Sequence, residues 1–308
     1  MFMTPSAAPP VSPAGSIVVG IDGSAASDQA LDWATQQATL EHRPLTIVHS
    51  VHLGMAGGTL WMGQPGFDVG GLLEDVRIAG KGLLDNAERR AHRHAPALAV
   101  HTILSNVDTR EALLNLAERA ALVVVGSRGR GPVASLLLGS VSVAVSTHAA
   151  CPVVVIRHPK GTGPRDGVLV DVDGTEESLP AIEFAYRTAS FRSLPLTALH
   201  VVWDHALRGD DEHLVDDDDP GLDDERMLLS ESIAGMREKF PDVQDRLVLV
   251  RGLRDHQLVR ASQDMDLVVV GSRQRGLIDD FVYGSVAPTV VEHAACDVAV
   301  VPSIRPVS

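Results

Sequence analysis

Residues 123–128 read Val-Val-Val-Gly-Ser-Arg, and the same six residues return at positions 268–273. Three consecutive β-branched residues without polar alternation are typical of a strand that is buried on both faces of a parallel sheet. The glycine that follows each run allows the backbone to turn sharply out of the strand. The sequence therefore predicts the same transition from strand to loop twice in one chain of 308 residues.

The similarity extends well beyond these six residues. Residues 123–156 and 268–301 are identical at 18 of 34 positions without a gap. Nearer the amino terminus, Asp22 matches Asp173 at an offset of 151 residues. A period this long indicates a duplicated domain, because solenoid repeats have periods of about 20–50 residues.

In both halves, apolar runs alternate with helical patterns. The strands predicted in the first half lie at residues 17–21, 45–51, 98–104, 122–125 and 152–156. A helix is predicted at residues 140–148, and Asp108 with Glu111 predicts the start of another helix that ends near residue 120. Alternation of this kind implies a parallel sheet with helices on both faces. The predicted fold is α/β, with two tandem doubly wound (Rossmann-like) domains, each a five-stranded parallel sheet with helices on both faces.

Composition sets the expected boundaries of these domains. The expected segments are a disordered tail at 1–15, a first domain at 16–158, a linker at 159–166 and a second domain at 167–304. The tail is uncharged and rich in Pro, Ala and Ser, and the linker is rich in Gly and Pro, as flexible segments often are.

The overall composition excludes several classes of protein. The net charge of −14 argues against a nucleic-acid partner, which would need a basic stripe. No apolar run approaches the roughly 18 residues of a membrane span. Two cysteines cannot form a disulfide framework, and the amino terminus lacks the pattern of a secretory signal, so we expect a cytoplasmic protein.

The glycines after the strand at 122–125 have a distinctive spacing, Gly126-x₂-Gly129-x₉-Gly139-Ser140. Glycines in this context bring backbone N–H groups close to an anion, and a helix N-terminus adds further donors. The alternative is that they only turn the chain tightly. Asp22, which follows the first strand, either binds a sugar or base or caps the next helix, and these two roles remain open.

Together these motifs resemble the universal stress protein family in its tandem, ATP-binding form. The resemblance rests on residues 21–24 (Ile-Asp-Gly-Ser), on the glycine spacing above and on residues 148–153 (His-Ala-Ala-Cys-Pro-Val). It implies that the first domain binds ATP, with a divalent cation such as Mg²⁺ possible. The implied binding residues are Gly20, Asp22, Ser50, Gly126, Ser127, Arg128, Gly129, Arg130, Gly131, Gly139, Ser140 and Val141.

The second half departs from this pattern at two positions. Gln274 replaces the second glycine of the motif, and Asp171 stands where the first half has Gly20. We therefore expect the first site to bind ATP more tightly than the second. The corresponding residues of the second site are Asp173, Val201, Gly271, Ser272, Arg273, Arg275, Gly276, Gly284, Ser285 and Val286.

The resemblance implies a nucleotide-dependent regulator of stress response, growth or dormancy. It also implies a homodimer. The sequence does not indicate which other protein this regulator would bind. In this family fifth strands pair domains, so residues 153–156 and 298–301 are expected to pair. Two alternatives remain: a slow ATP hydrolase or adenylyl-transfer enzyme, and a docking module for another adenine nucleotide such as a cyclic one. We assign no catalytic residue.

We assign no metal ligand either. The repeated pairs His148/Cys151 and His293/Cys296 lack the further ligands that zinc requires, so both cysteines are expected to be buried thiols. Residues 204–225 hold eleven acidic residues and are expected to form a solvated loop. The corresponding glycine-rich segment 52–71 is a possible lid.

Overall fold

The computed structural model describes residues 12–51, 69–129, 138–157, 165–202, 213–214, 221–272 and 286–303. The chain divides into two compact units, residues 1–124 and 125–308. The described strands are β1 (Ile17–Gly20), β2 (Leu45–Ser50), β3 (Val100–Ser105), β4 (Leu122–Gly126), β5 (Val153–Ile156), β6 (Val168–Asp171), β7 (Leu196–Val202), β8 (His213–Leu214), β9 (Asp245–Arg251), β10 (Leu267–Ser272) and β11 (Asp297–Pro302).

The described helices follow the strands in regular alternation. They are α1 (Ala25–Leu40), α2 (Val69–His94), α3 (Thr109–Ala117), α4 (Ser140–His148), α5 (Leu179–Arg192), α6 (Asp223–Lys239), α7 (Arg254–Ala261) and α8 (Val286–His293). Short 3₁₀ turns at 176–178 and 262–264 precede α5 and follow α7. The predicted α/β fold is confirmed, with strand boundaries displaced by one or two residues.

In the first unit the strands lie in the order β3-β2-β1-β4 and pair in parallel. The chain runs outward from β1 through β2 to β3, and α3 then carries it back to β4 on the other side of β1. Because crossovers in parallel sheets are right-handed, this reversal places helices on both faces. It also creates a switch point between β1 and β4, whose pairing includes Val19 and Val124.

In the second unit the order is β5-β11-β10-β6-β7-β9-β8. Strands β6, β7, β9, β10 and β11 are parallel, and the switch point lies between β6 and β10. The two-residue strand β8 pairs antiparallel with the end of β9 and was not predicted. Its length explains the omission, because two residues carry no periodicity.

Strand β5 is the expected contact between the duplicated segments. It pairs with β11, as predicted, and the structure shows that the pairing is antiparallel, with Val153 opposite Val300 and Val155 opposite Val298. Arg157 extends this contact: its backbone N–H donates to the carboxylate of Asp297, 2.9 Å away. Its buried guanidinium donates to the carbonyl oxygens of Val291 and Glu292 near the end of α8, where cations are favoured.

Two segments differ from their predicted description. Ser12, assigned to the disordered tail, is buried, and its hydroxyl lies 2.8 Å from the Thr46 hydroxyl and 2.6 Å from the Ser16 hydroxyl. The expected acidic loop contributes β8 and the first turn of α6, where three acidic residues favour the helix N-terminus. Residues 204–212 and 215–220 of this loop and most of the possible lid, 52–68, lie outside the described residues.

The histidine and cysteine pairs have structural roles. Both cysteines are buried and free, as expected. His148 and His293 are exposed, and the Nδ1 atom of each is in hydrogen-bond contact with a carbonyl oxygen one turn earlier in its own helix. Among the described residues there is no cluster of three or more His, Cys, Asp or Glu that could hold a metal ion. The described helices also include none that is long and apolar enough to cross a membrane.

Candidate functional site

The predicted nucleoside residues of the first unit lie at the carboxyl ends of β1 and β2, which are adjacent strands. Gly20 ends β1, and a Cβ atom there would lie 3.1 Å from the Cδ1 atom of Leu113 in α3. Only a very small residue fits without displacing that leucine. Gly20 therefore has a packing reason to be glycine, independent of any ligand.

Asp22 and Ser24 both accept backbone N–H groups in the turn that begins α1. One carboxylate oxygen of Asp22 accepts the backbone N–H of Ser24 at 2.9 Å. The Ser24 hydroxyl in turn accepts the N–H of Ser27 at 3.2 Å, which makes Ser24 the N-cap residue. Asp22 therefore does not cap α1; its carboxylate stabilises the turn that leads to the N-cap residue. The other role, binding of a sugar or base, stays a prediction.

Ser50 is the most informative residue of this group. It ends β2, and its hydroxyl oxygen is buried without a hydrogen-bond partner among the described residues. A buried polar atom left without a partner costs about 1–3 kcal/mol. A ligand that supplied a donor or acceptor here would remove that cost.

The neighbouring histidine is structural. The Nδ1 atom of His49 lies 2.9 Å from the carbonyl oxygen of Ile21, and His200 repeats the contact with Val172 at 2.7 Å. Both histidines therefore fix the loop that leaves the first strand of their half.

The predicted phosphate loop after β4 is held at three points within the second unit. Ser127, which is buried, donates its N–H to the carbonyl oxygen of Ile156 at 2.8 Å. Its own carbonyl oxygen accepts the N–H of Gly139, also at 2.8 Å. The Ser142 hydroxyl donates to the carbonyl oxygen of Gly126 at 2.7 Å. The first bond ties the loop to the end of β5, and the other two tie it to the start of α4.

The N-terminus of α4 has no side-chain cap. Gly139 occupies the N-cap position with φ −77° and no side chain to accept the N–H groups of the first turn. Helices need partners for these groups, and an uncapped N-terminus favours an anion. A Cβ atom at position 139 would lie 3.5 Å from the Ser127 carbonyl oxygen and 3.8 Å from the Arg128 Cα atom, so a side chain here would enter the loop.

The remaining first-site residues are only partly described. Arg128 and Gly129 are exposed, Ser140 is exposed and Val141 is half-buried. Arg128 is therefore accessible to an anion in solvent. Arg130 and Gly131 lie outside the described residues.

The second site contains an ion pair that sequence reasoning missed. The Nε atom of Arg254, the first residue of α7, lies 2.7 Å from an oxygen of Asp171, whose side chain is 5% exposed. A second guanidinium nitrogen lies 3.5 Å from an oxygen of Asp173. Asp173 also accepts the backbone N–H of Thr175 at 3.0 Å, the bond that corresponds to Asp22 and Ser24 in the first half.

This pair alters the expectation for Asp171. The buried Asp171 carboxylate at the end of β6 is paired with the Arg254 guanidinium, so its negative charge is neutralised within the protein. Thr46 pairs with His101 as Thr197 pairs with Arg246, so the offset in this part of the chain is 145 residues and Thr109 is the counterpart of Arg254. Gly20 and Thr109 of the first half are therefore replaced together by Asp171 and Arg254. The sequence alone does not show that residues 171 and 254 are in contact. The structure shows it, because β9, which precedes α7, pairs with β7.

The other second-site residues give less detail. Val201, Gly271, Ser272 and Val286 are half-buried, and a Cβ atom at Gly271 would meet no atom of the described residues within 4 Å. The predicted residues that lie outside the described ranges are Arg273, Arg275, Gly276, Gly284 and Ser285, together with Gln274.

Comparison with known families decides what kind of protein carries these two sites. The universal stress protein family model matches twice, at residues 14–157 and 165–302. The chain belongs to the universal stress protein family. The resemblance inferred from the sequence is thus confirmed, and both matched segments coincide with the internal duplication.

Relatives of the same length support this assignment. A universal stress protein from Mycobacterium tuberculosis is 36% identical over 298 residues, which cover 92% of this chain and 95% of the relative. One from Mycobacterium bovis is 34% identical over 291 residues, covering 91% and 94%. The crystal structure of a universal stress protein from Archaeoglobus fulgidus matches with a TM-score of 0.67 and 18% identity, covering 94% of this chain and 96% of that one. This structural match shows the shared tandem fold.

Proposed function

We propose that this universal stress protein binds ATP in its first half, with the triphosphate on the loop that follows β4. The observation that carries the proposal is the uncapped N-terminus of α4, which follows Gly139 and is tied to Gly126 through Ser142. An anion is the natural partner for its backbone N–H groups. Arg128 supplies an accessible positive charge, and a bound Mg²⁺ would share the phosphate charge.

The nucleoside would lie against the ends of β1 and β2. Asp22 has carboxylate oxygens suited to ribose hydroxyls, and Ser50 has a buried hydroxyl that needs a partner. Strands at a topological switch point present their carboxyl ends to ligands in open α/β sheets. This support is independent of the glycine spacing.

Binding, rather than turnover, is the proposed activity. The bound nucleotide would act as a switch in a cytoplasmic response to stress, slow growth or dormancy. The contacts of Arg254 with Asp171 and Asp173 support different affinities for the two sites. In the second half these carboxylates already have a side-chain partner, so they are less available to a ligand. The first site is therefore the principal nucleotide site.

Two substitutions at one residue test the phosphate site. In Gly139→Asp the new carboxylate would cap α4 itself and repel the triphosphate, so the helix should be stabilised while ATP binding is lost. In Gly139→Asn the cap is neutral, so the loss of affinity should be smaller. Isothermal titration of ATP with Mg²⁺ into the purified full chain measures both.

The outcomes separate the proposal from its rivals. Unchanged ATP affinity in Gly139→Asp would overturn the phosphate assignment. Release of inorganic phosphate that is abolished by Gly139→Asp would instead favour the slow hydrolase. Mass spectrometry of nucleotide released on denaturation tests the ligand itself, and recovery of a cyclic nucleotide without ATP or ADP would favour the docking module.

We also propose that the protein is a homodimer. Strand β5 is already paired with β11 of the same chain, so a dimer would use a different surface. Light scattering of the purified chain tests this, and a strictly monomeric mass would contradict it.

A further inference from the structure

A cavity of about 360 Å³ lies in the second unit between α7 and the strands β6, β7 and β9. Small-molecule sites in proteins have volumes of about 300–1,000 Å³ and apolar walls with a few polar groups. The apolar lining includes Leu169, Leu199 and Val248, and the charged lining includes Arg246 and Arg260. None of the proposed nucleotide residues that the structure describes lines it.

The first half of the chain serves as an internal reference for this cavity. Thr46 pairs with His101 in the first half, as Thr197 pairs with Arg246 in the second, so the offset for β9 is 145 residues. The same offset relates Leu113 to Leu258, and both are fully buried. The lining of the cavity can therefore be compared position by position.

Two buried side chains of the first half are smaller in the second. Leu116 and Ile103 are 8% and 7% exposed, and their counterparts are Ala261 and Val248, which line the cavity. Replacing a buried leucine by alanine leaves a cavity when the surroundings relax only partly. These two side chains fill less of the space under α7, whereas Leu169 and Leu199 are larger than their counterparts Val18 and Val48.

The lining threonine has a different hydrogen-bond partner in each half of the chain. In the first half the Thr46 hydroxyl is in hydrogen-bond contact with the Ser12 hydroxyl, 2.8 Å away. In the second half the Thr197 hydroxyl accepts the Nε–H of Arg246 at 2.7 Å. The lining threonine thus contacts a guanidinium in the second half and a serine hydroxyl in the first. At its own position Arg246 replaces His101, and Asp264 replaces Arg119.

Among the described residues, the charged side chains that line the cavity are two arginines and one aspartate. Arg246 and Arg260 line it together with Asp264, and Arg165 donates to the carbonyl oxygen of the lining residue Met265 at 3.1 Å. Arg246 also lies 3.5 Å from Asp166, but both side chains are 59% exposed, and exposed pairs of this kind contribute little. The surroundings therefore favour an anionic group beside an apolar body.

We propose that this cavity is a second ligand site, which takes a small carboxylate with an aliphatic body. The carboxylate contacts the guanidinium groups of Arg246 and Arg260, since arginine forms strong, charge-assisted bonds with carboxylates. The aliphatic body contacts Leu169, Leu199 and Val248. This site is separate from the proposed ATP site and does not depend on it.

Titration of octanoate into the full chain tests the proposal, with octan-1-ol as the neutral comparison of equal length. We expect saturable binding of one octanoate per chain and at least tenfold weaker binding of octan-1-ol. Ala261→Leu restores the larger side chain of the first half and should weaken octanoate binding at least tenfold. Arg246→Gln should do the same, whereas Arg110→Gln, at an exposed arginine of the first half, should have no effect.

Several outcomes overturn the proposal. These are no saturable octanoate binding, equal affinity for octan-1-ol, or full octanoate affinity in both Ala261→Leu and Arg246→Gln. Thermal melts establish that each variant folds, and if Ala261→Leu does not, Arg246→Gln and the octan-1-ol comparison still decide. Because Gly139→Asp removes only the proposed ATP site, it should leave octanoate affinity unchanged.

Discussion

The guanidinium of Arg254 lies 2.7 Å from the carboxylate of Asp171, at the position where the first half of the chain has a threonine and a glycine. Arg254→Thr leaves that carboxylate buried without its partner, and a lost partner of a buried pair destabilises a protein by about 3 kcal/mol or more. We expect a loss of this size in the free energy of unfolding, measured by urea titration at pH 7.

The double substitution Asp171→Gly with Arg254→Thr restores the first half's pair of residues. It should recover most of the stability that Arg254→Thr loses, apart from about 1 kcal/mol for a glycine within a strand. Additive effects of the two single substitutions would contradict a direct interaction, because coupled neighbours deviate from additivity.

Asp22 and Asp173 offer a matched comparison of the two proposed nucleotide sites. Asn at either position can still accept the backbone N–H that the carboxylate accepts, so the turn should persist. We expect Asp22→Asn to lower ATP affinity at least tenfold and Asp173→Asn to leave it nearly unchanged. Tight binding that survives Gly126→Ala with Gly129→Ala, but is lost in Asp173→Asn, would contradict this order.

The pH dependence of stability tests the environment of Asp297. Burial raises the pKa of the Asp297 carboxyl to about 6. The Arg157 N–H, Arg165 and Arg192 lower this pKa, whereas the negative charge of Asp266 raises it further. Between about pH 4 and pH 6 the folded state therefore keeps a proton that the unfolded state loses, and stability falls as pH rises through this window.

Asp297→Asn should remove this effect while keeping an acceptor for the Arg157 N–H. The variant's free energy of unfolding, relative to the original chain, should rise between pH 4 and pH 6 by less than about 3 kcal/mol and stay level above pH 6. Urea titrations at several pH values measure it. Parallel curves for the two proteins would show that the Asp297 pKa is not raised.

Thiol reactivity tests the burial of the two cysteines. Both are buried, and burial also raises the pKa of Cys296 to about 12, so little thiolate exists at neutral pH. Ellman's reagent at pH 8 should react with fewer than one thiol per native chain and with two in 6 M guanidinium chloride. Rapid reaction of both thiols in the native chain would contradict the fold around β5 and β11.

Local sequence patterns predicted the elements that have strong periodicity. The helix Ser140–His148 was predicted with its exact bounds, and Asp108 begins α3 as expected, with its carboxylate accepting the N–H of Arg110. Each of these signals lies within one turn of the chain. The alternating strands likewise predicted a parallel sheet.

Features that depend on distant residues could not be predicted in this way. The contact of Arg254 with Asp171 joins residues 83 positions apart, and the burial of Ser12 depends on Thr46. In both cases the two polar residues are distant in the sequence, and the folded sheet brings them into contact. The cavity under α7 similarly requires comparison of Leu116 with Ala261 in three dimensions.

The pairing of β5 with β11 has a consequence for any attempt to separate the two family segments. A fragment ending near residue 157 would carry β5 without β11, and the unpaired N–H and C=O groups of its valine-rich edge would be a template for aggregation. The covalent connection keeps the two edges at a high effective concentration, so they meet within one molecule before they meet a neighbour. Because β5 and β11 both lie within residues 125–308, their pairing covers both edges inside a single chain.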